Sequence, residues 1–418
     1  MPSGRKSILV TVSWYPTKEN PIAGSFFKEQ CELLSRQYDI TVVKLNPANT
    51  LWSRYILQRP SGKDISLHKT GEKDGLKEYE CVVFRPVEYA VMNNIHSRVT
   101  IKKKGLSGIG SVDTDADIRF WKKHMARLAD MLGGKFDLVY GLSAQGTSVY
   151  AMMLAEYLNV PYILSEHSPF LIPGSTLNAT FKESMEKASC FLAISNDKIR
   201  QIMMQNVHLK DIEYMGNMVD TDKFEYRPVK HDISSFLIVA ANSFYKNYDL
   251  FIKTMDRLNE IANKPFKVII AGYAANKGYS QNVEELLTKI ENSSFADKAE
   301  LIPSVSRDEI KDLYNRADAF VMTSLQEGQP VAPLEAACCG LPVFSTRCGG
   351  VEDYVDDTIG RIVGILDHEA LAGYLNDYLE GKITFDGEHI HDVIAKRFGR
   401  DAFMSKFTDV VNRVTAHE

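Results

Sequence analysis

Two glutamates, three prolines and a glycine pair stand within one stretch of the chain, EGQPVAPLEAACCGLPVFSTRCGG, which begins at residue 327. Prolines 330 and 333 fit a single helix only in its first turn, where N–H groups have no partner, so the helix is predicted to begin near Pro330. Glu327 then precedes the positive end of this helix, and Glu335 lies one to two turns inside it. N–H groups exposed at such a helix start suit an anion such as phosphate.

The same stretch predicts the end of this helix and the strand after it. Gly340 supplies a left-handed residue past the helix end, and Pro342 prevents continuation. The next strand brings Gly349 and Gly350 to the same rim, where a backbone without Cβ atoms can approach a ligand closely. One alternative stays open, in which Glu327 is a solvated loop carboxylate and Glu335 a surface residue of the helix.

Strands and helices alternate along most of the chain. Runs that are apolar on both faces and separated by helices indicate parallel sheets covered on both sides, so the fold class is α/β, with the pattern present twice. Ligands of such sheets bind outside the carboxyl ends of the strands. The predicted strands are 8–14, 40–45, 81–86, 138–142, 162–166, 191–195 and 212–215 in the first half, and 236–241, 266–271, 300–303, 319–323, 343–346 and 362–365 in the second.

The length of 418 residues predicts two domains. We expect an N-terminal domain at 1–217, a polar linker at 218–232, a C-terminal domain at 233–395 and a C-terminal helix at 396–418 that packs back on the N-terminal domain.

Two segments interrupt the alternation of strands and helices. Residues 46–79 are polar and have no predicted structure. Residues 98–127 carry eight Lys and Arg against three Asp, beside Phe120 and Trp121. We interpret this basic segment either as an exposed face or as a surface that meets the headgroups or diphosphate of a lipid-linked molecule.

Composition narrows the classes of function. A net charge of −5 gives no general attraction for nucleic acid or anionic lipid. No stretch approaches the roughly 20 apolar residues of a membrane span, and the N-terminus lacks the features of a signal peptide. The six cysteines have no metal-site spacing and are expected to be buried free thiols, as in a reducing cytoplasm. The D-x-D pattern at 113–117 lies away from a strand end, so we predict no metal.

The stretch from Ser324 to Gly350 resembles the signature of the family 4 glycosyltransferases, which are retaining enzymes of the two-Rossmann (GT-B) architecture. That signature has two glutamates separated by seven residues, followed by small residues and a glycine pair. The matching residues here are Ser324, Glu327, Gly328, Glu335, Ala336, Cys338, Gly340, Pro342, Val343, Thr346, Gly349 and Gly350.

The resemblance extends over nearly the whole chain, through WYPTKENPIAGSFFKEQCELLSR, VPYILSEHS, ASCFLAISN and GNMVDTDKF. It implies two Rossmann-like, doubly wound parallel-sheet domains that face a central cleft. The N-terminal domain would lie on the acceptor side, and the C-terminal domain would bind the nucleotide-sugar donor.

The resemblance also implies roles for individual residues. Glu327 would contact the donor sugar and help to stabilise an oxocarbenium-like state, His167 would contact the donor sugar or the scissile bond, and Glu335 would bind the ribose. Helix starts near Gly24 and Pro330, with Lys246, would stabilise the leaving diphosphate. The candidate catalytic residues are therefore Glu327 and His167, and the candidate donor-binding residues are Gly24, Asn242, Lys246, Gly328, Gln329, Pro330, Val331 and Glu335.

The chain departs from the family pattern where the diphosphate binds. The family commonly has V-G-R-L-x-x-x-K-G, whereas VAANSFYKN keeps Lys246 but places Ala240 and Ala241 at the Gly and Arg positions. One of two cationic phosphate contacts is therefore missing. Either another basic side chain replaces it, or the donor is bound more weakly. Pro330 also removes an N–H group from the loop that would face the donor sugar.

The leading interpretation is a metal-independent, retaining glycosyltransferase that needs no cofactor and uses a UDP- or GDP-linked sugar as donor. Its acceptor would be a glycan or a lipid-linked sugar, with bacterial surface polysaccharide biosynthesis as the setting. The expected location is the cytoplasm, with peripheral contact at the inner face of the membrane through residues 98–127. The alternatives are a nucleotide-sugar epimerase of the same architecture and a catalytically silent nucleotide-sugar-binding protein.

Overall fold

The computed structural model describes residues 4–12, 14–17, 24–49, 64–85, 115–167, 179–229, 231–274 and 282–416. The chain divides into two compact units. The first unit contains Met1–Ala193, Ile199–Tyr214 and Met404–Glu418, and the second contains Ile194–Lys198 and Met215–Phe403.

The first unit is built on a single sheet flanked by helices. Its strands are β1 (Ser7–Val12), β2 (Asp39–Asn49), β3 (Ile65–Lys73), β4 (Leu76–Arg85), β5 (Leu138–Leu142), β6 (Tyr162–Glu166), β7 (Cys190–Ala193) and β8 (Ile212–Tyr214). The helices that alternate with them are α1 (Ser25–Leu34), α2 (Asp115–Leu132), α3 (Ala144–Leu158), α4 (Ala179–Lys187) and α5 (Asn196–Met204). The strand order is β3-β4-β2-β1-β5-β6-β7-β8, and every pairing is parallel except the β3–β4 hairpin.

The second unit has a fully parallel sheet. Its strands are β9 (Ser234–Val239), β10 (Phe266–Ala271), β11 (Ala299–Ile302), β12 (Ala319–Met322), β13 (Val343–Thr346) and β14 (Gly360–Val363), in the order β11-β10-β9-β12-β13-β14. The helices are α6 (Tyr248–Ile261), α7 (Val283–Glu291), α8 (Ile310–Asn315), α9 (Val331–Cys338), α10 (His368–Glu380) and α11 (Gly387–Phe398). A further helix, α12 (Arg400–Thr415), begins in this unit and continues in the first. The chain adds strands on one side of β9 and then returns to its other side, so the order reverses between β9 and β12. Ligands of doubly wound sheets bind at such a reversal.

All the predicted strands are present, but the hairpin strand β3 was missed. It lies within residues 46–79, for which no structure was predicted, and most of its side chains after Ser66 are exposed. An edge strand with one paired side needs little apolar surface, so its sequence lacks the hydrophobic run that identifies the central strands.

The expectation that Trp121 belongs to an exposed basic surface is wrong. Trp121 is 1% exposed and packs edge-on against Tyr150, with ring centroids 4.7 Å apart. The helical repeat places Trp121, Met125 and Leu128 together on the core side of α2, while Lys122 and Lys123 face solvent. Residues 98–114 of the basic segment lie outside the described residues.

The end of the chain is shared between the two units. Residues from Met404 onward belong to the first unit, where the Phe407 ring packs against Tyr38 and Tyr140 at centroid distances of 5.9 and 5.5 Å. The Tyr38 hydroxyl donates to Thr408 at 3.1 Å. The segment 218–232, predicted as a polar linker, is grouped with the second unit and contains the fully buried Phe224.

The six cysteines are all buried and free, as predicted. Burial raises the pKa of the Cys81 thiol to about 12, so this side chain behaves as a small apolar group. Among the helices described, none combines the length and the apolar character needed to span a bilayer.

Candidate active site

Two loops meet where the strand order of the second unit reverses. The loop after β9 carries Lys246, and the loop after β12 carries Glu327. Leu325 N donates to the Tyr245 carbonyl at 2.7 Å, and the Thr323 hydroxyl donates to the Lys246 carbonyl at 3.1 Å. These bonds hold the two loops together and present their side chains at the carboxyl edge of the sheet.

Lys246 and Glu327 form an ion pair at this edge. Nζ of Lys246 lies 2.5 Å from Oε1 of Glu327, and the side chains are 31% and 13% exposed. The alternative of a solvated loop carboxylate is therefore wrong for Glu327. A partly buried ammonium and carboxylate in contact provide one group for a phosphate and one for hydroxyls or a developing positive charge.

Helix α9 begins and ends where the sequence predicts. Pro330 is its N-cap, in extended conformation, and Gly340 follows its end with φ of 87°. A cavity of about 40 Å³ at the helix start is lined by Lys246, Ser324 and Pro330, among others. The buried Ser324 hydroxyl has no hydrogen-bond partner among the described residues, so the helix start and this hydroxyl leave unused polar groups next to the ion pair.

Glu335 lies inside the second unit and is not a surface residue of α9. Its side chain is 2% exposed, Tyr314 donates to its Oε2 at 3.0 Å, and Arg307 pairs with its Oε1. Burial, and then the Glu335 carboxylate, raise the pKa of Tyr314 well above its usual range, which keeps that hydroxyl protonated as a donor. Ribose binding by Glu335 stays a prediction.

Arg307 and Tyr314 were not singled out from the sequence. The Arg307 guanidinium lies 5.3 Å from the centre of the Phe224 ring while it pairs with Glu335. Its position in the loop after the carboxyl end of β11 could have marked it as a candidate site residue, because such loops line ligand sites in parallel sheets. No feature of the sequence alone pairs it with a glutamate on α9.

The structure gives Gly349 and Gly350 a packing role, and their approach to a ligand stays a prediction. A Cβ atom on Gly349 would lie 2.8 Å from the Glu327 carbonyl oxygen, and one on Gly350 would lie 2.2 Å from the Gly328 carbonyl oxygen. Glu327 N also donates to the Cys348 carbonyl at 2.7 Å. The glycine pair therefore supports the backbone of the Glu327 loop and allows it to approach closely.

Other predicted donor-binding residues in the second unit have protein partners. Gln329 is buried, its side-chain oxygen accepts from Asn217 N, and its carbonyl accepts from the Asn217 amide at 2.7 Å. The Asn242 amide donates to the Asn282 carbonyl at 3.4 Å. Gly328 is buried and Val331 half-buried at the start of α9. Their contacts with a donor stay predictions.

His167 follows β6 in the first unit and ends a chain of hydrogen bonds. Gln30 donates to the Tyr140 hydroxyl at 3.2 Å, Tyr140 donates to Ser165 at 3.1 Å, and Ser165 Oγ lies 3.0 Å from Nε2 of His167. The His167 ring packs edge-on against Phe27 at 4.8 Å. These contacts, none of which the sequence predicts, orient the imidazole at the carboxyl end of its strand.

Gly24 begins α1 after the carboxyl end of β1. Its φ is 67°, and a Cβ atom there would lie 2.5 Å from the Trp14 carbonyl oxygen, so glycine is required by both conformation and close packing. Within the described ranges, no three His, Cys, Asp or Glu side chains are grouped so that they could hold a metal ion. Donor binding at Gly24 and metal independence stay predictions.

Residues 220–395 match the family described as Glycosyl transferases group 1. The second unit is a group 1 glycosyltransferase domain. Curated relatives of the chain include the gpi3 subunit of phosphatidylinositol N-acetylglucosaminyltransferase from Schizosaccharomyces pombe, 24% identical over 57% of this chain and 53% of that protein. The O-antigen chain mannosyltransferase RfbU from Salmonella typhimurium is 27% identical over 42% of this chain and 48% of that protein. The matched regions thus span about half the length of these two relatives.

Solved structures resemble the whole chain and not only its group 1 glycosyltransferase domain. Sucrose-phosphate synthase from Thermosynechococcus elongatus superposes with a TM-score of 0.69 at 13% identity, covering 99% of this chain and 100% of that one. Anabaena HepE in complex with UDP and glucose also gives 0.69, at 14% identity, covering 98% and 100%. This likeness concerns the fold, and it confirms the predicted GT-B class with two Rossmann-like α/β units.

Proposed function

We propose that the chain transfers a sugar from a nucleoside-diphosphate sugar to a glycan or lipid-linked acceptor, with retention of configuration and without a metal ion. The observation that carries the proposal is the Lys246–Glu327 pair at the strand reversal of a group 1 glycosyltransferase domain. The cation can stabilise the negative charge that forms on the diphosphate during sugar transfer, and the carboxylate can stabilise the positive charge that forms on the sugar.

In this reaction the bond between the anomeric carbon and the diphosphate oxygen breaks, and its electrons stay on the diphosphate. Lys246 and the N–H groups at the start of α9 would stabilise this negative charge. The phosphate competes with Glu327 for Lys246, which leaves the carboxylate available to the donor sugar. The acceptor oxygen attacks the anomeric carbon from the face that the diphosphate leaves, and its proton passes to an oxygen of the departing diphosphate, so no covalent bond to Glu327 is needed.

The acceptor and the biological setting are inferred from relatives. One is named for a phosphatidylinositol substrate and another for the O-antigen chain, and a structural neighbour contains UDP and glucose. We propose accordingly a UDP- or GDP-sugar donor, a role in surface polysaccharide biosynthesis and a cytoplasmic location. We also propose peripheral membrane contact through residues 98–127, in which the buried Trp121 takes no part. Binding of the full chain to liposomes of anionic lipid at low salt tests this contact.

The deciding experiment incubates the full chain with a panel of UDP-, GDP- and ADP-sugars, with and without added acceptor glycans and in the presence of EDTA. Slow hydrolysis of one donor, made faster by an acceptor, supports transfer, and a product with the same anomeric configuration as the donor supports retention. Formation of an epimer would favour an isomerase, and binding without turnover would favour a silent binding protein. Complete loss of turnover in EDTA that a divalent ion restores would contradict metal independence.

A further inference from the structure

A second cavity lies on the group 1 glycosyltransferase domain, beside the loop that carries Lys246. It has a volume of about 240 Å³ and is lined by Asn242, Ser243 and Phe244 from this loop and by Asn282 at the start of α7. Leu325, from the loop that carries Glu327, also lines it. Since pockets for drug-sized ligands are roughly 300–1,000 Å³, this one suits a group about as large as a single sugar ring.

The charged groups of this cavity are already paired with one another. Lys289 lies 2.8 Å from both Asp249 and Glu285, so two carboxylates share one ammonium. These acidic residues also stand in the first turns of α6 and α7, where they meet the positive ends of the helices. An additional anion such as phosphate is therefore disfavoured, and the remaining polar groups are neutral amides and a hydroxyl.

An aromatic ring stands at the rim of the cavity. Phe244 is 72% exposed, and its ring lies edge-on to that of Tyr245 at a centroid distance of 5.6 Å. Both rings belong to the short 3₁₀ turn Phe244–Lys246. An exposed aromatic face next to amide and hydroxyl groups can cover the C–H face of a sugar while its hydroxyls form hydrogen bonds.

We propose that this cavity binds one uncharged sugar residue of a glycan, with its ring on Phe244 and its hydroxyls on Asn242, Ser243 and Asn282. The inference rests on the proposed function in that the glycan is the acceptor, or an extension of it. Because Phe244 and Lys246 share a turn, a sugar held here lies beside the loop that we assign to the donor.

The test measures binding of methyl glycosides of glucose, galactose, mannose and N-acetylglucosamine to the full chain by saturation-transfer NMR. We expect at least one to bind, and Phe244→Ala to weaken it about tenfold, equivalent to ~1.4 kcal/mol. Phe244→Trp should retain binding. Leu366→Ala is the matched control, because Leu366 is an equally exposed apolar residue of the same unit.

Three results would overturn this site: no glycoside binds, Phe244→Ala binds as well as the unaltered chain, or inorganic phosphate displaces the glycoside. Donor hydrolysis is measured on the same samples to separate the two proposals. If the chain hydrolyses a donor but Phe244→Ala leaves glycoside affinity unchanged, only the proposal of the sugar site fails. If glycosides bind through Phe244 while no donor binds or turns over, the transferase proposal fails and the sugar site stands.

Discussion

The ammonium of Lys246 and the carboxylate of Glu327 are in direct contact, 2.5 Å apart, and they come from loops that follow different strands. The pair therefore joins the two sides of the strand reversal in the second unit. A diphosphate that binds Lys246 must compete with Glu327, so donor binding and exposure of this carboxylate are coupled.

Replacing Glu327 by Gln is expected to affect turnover and binding in opposite directions. Turnover of the donor should fall by about 100- to 1,000-fold, because a group that stabilises charge in the transition state is lost. Affinity for the free nucleoside diphosphate should rise, because Lys246 no longer has a competing carboxylate. Donor hydrolysis and calorimetry measure the two effects, with the exposed Glu291→Gln as control. Unchanged turnover would remove Glu327 from the site.

Replacing Lys246 by Met should chiefly weaken binding of the donor. A hydrogen bond to a charged group contributes about 1.5–3 kcal/mol, so affinity should fall roughly 10- to 100-fold. The control is Lys253→Met, which removes an exposed ammonium from α6 of the same unit. If both variants bind nucleoside diphosphate like the unaltered chain, Lys246 has no role with phosphate.

Replacing Arg307 by Ala should destabilise the second unit. The Glu335 carboxylate would stay buried without its guanidinium, and breaking a buried pair costs about 3–5 kcal/mol. Arg316→Ala is the control, because its pair with Glu300 is about half exposed and such pairs contribute about 0–1 kcal/mol. Chemical denaturation followed by circular dichroism gives both values. Equal stability of the two variants would show that the Arg307 pair is not structurally important.

Replacing Glu335 by Ala separates its packing role from its predicted ribose contact. Loss of the carboxylate removes the partner of both Arg307 and Tyr314 and should lower stability. If Glu335 also binds ribose, affinity should fall for the nucleoside diphosphate but not for inorganic pyrophosphate. Equal losses for the two ligands would indicate a purely structural residue.

Replacing Gly350 by Ala should displace the Glu327 loop. The added Cβ would meet the Gly328 carbonyl oxygen at 2.2 Å, and the φ of 73° is itself unfavourable for alanine. Gly373→Ala is the control, since that glycine lies within α10 with no atom near its Cβ position. The control should gain about 0.4–1 kcal/mol of stability, whereas the first variant should lose both stability and turnover. Normal turnover in Gly350→Ala would contradict the supporting role.

Because its cysteine thiols are buried, the folded protein is expected to lose stability at alkaline pH. Burial raises the pKa of Cys339 from 9.0 to about 12 and raises that of Cys348 further. The unfolded chain therefore releases these protons at lower pH than the folded chain does. The free energy of unfolding should be unaffected by them below about pH 9 and should fall as pH rises towards 12. Denaturation with reductant at pH 8 and pH 10.5 checks this, and equal stabilities would contradict it.

Local signals explain which parts of the fold could be predicted. Pro330 and Gly340 bracket α9 because each residue restricts its own backbone, and central strands such as β10 carry unbroken apolar runs. The edge strand β3 has no such run and was missed. Phe224 was assigned to a polar linker because its burial depends on Arg307 and Tyr314, which lie far from it in sequence.

The candidate site was predictable only as a set of residue types. Motif spacing identified Glu327, Glu335 and Lys246 but did not indicate that Lys246 pairs with Glu327 while Arg307 and Tyr314 hold Glu335. Such pairings arise when helices and strands pack, and neither partner restricts the other locally. Gly349 and Gly350 show the same limit, since a glycine that accommodates a ligand and one that accommodates backbone look alike in sequence.

The last helix has a consequence for synthesis of the chain. Phe407 and Thr408 complete the packing around Tyr38 and Tyr140, yet they are translated after the whole second unit. The first unit therefore keeps part of its core uncovered until the residues that follow the second unit have been synthesised. A nascent chain halted before residue 404 should expose these tyrosines to chaperones and proteases.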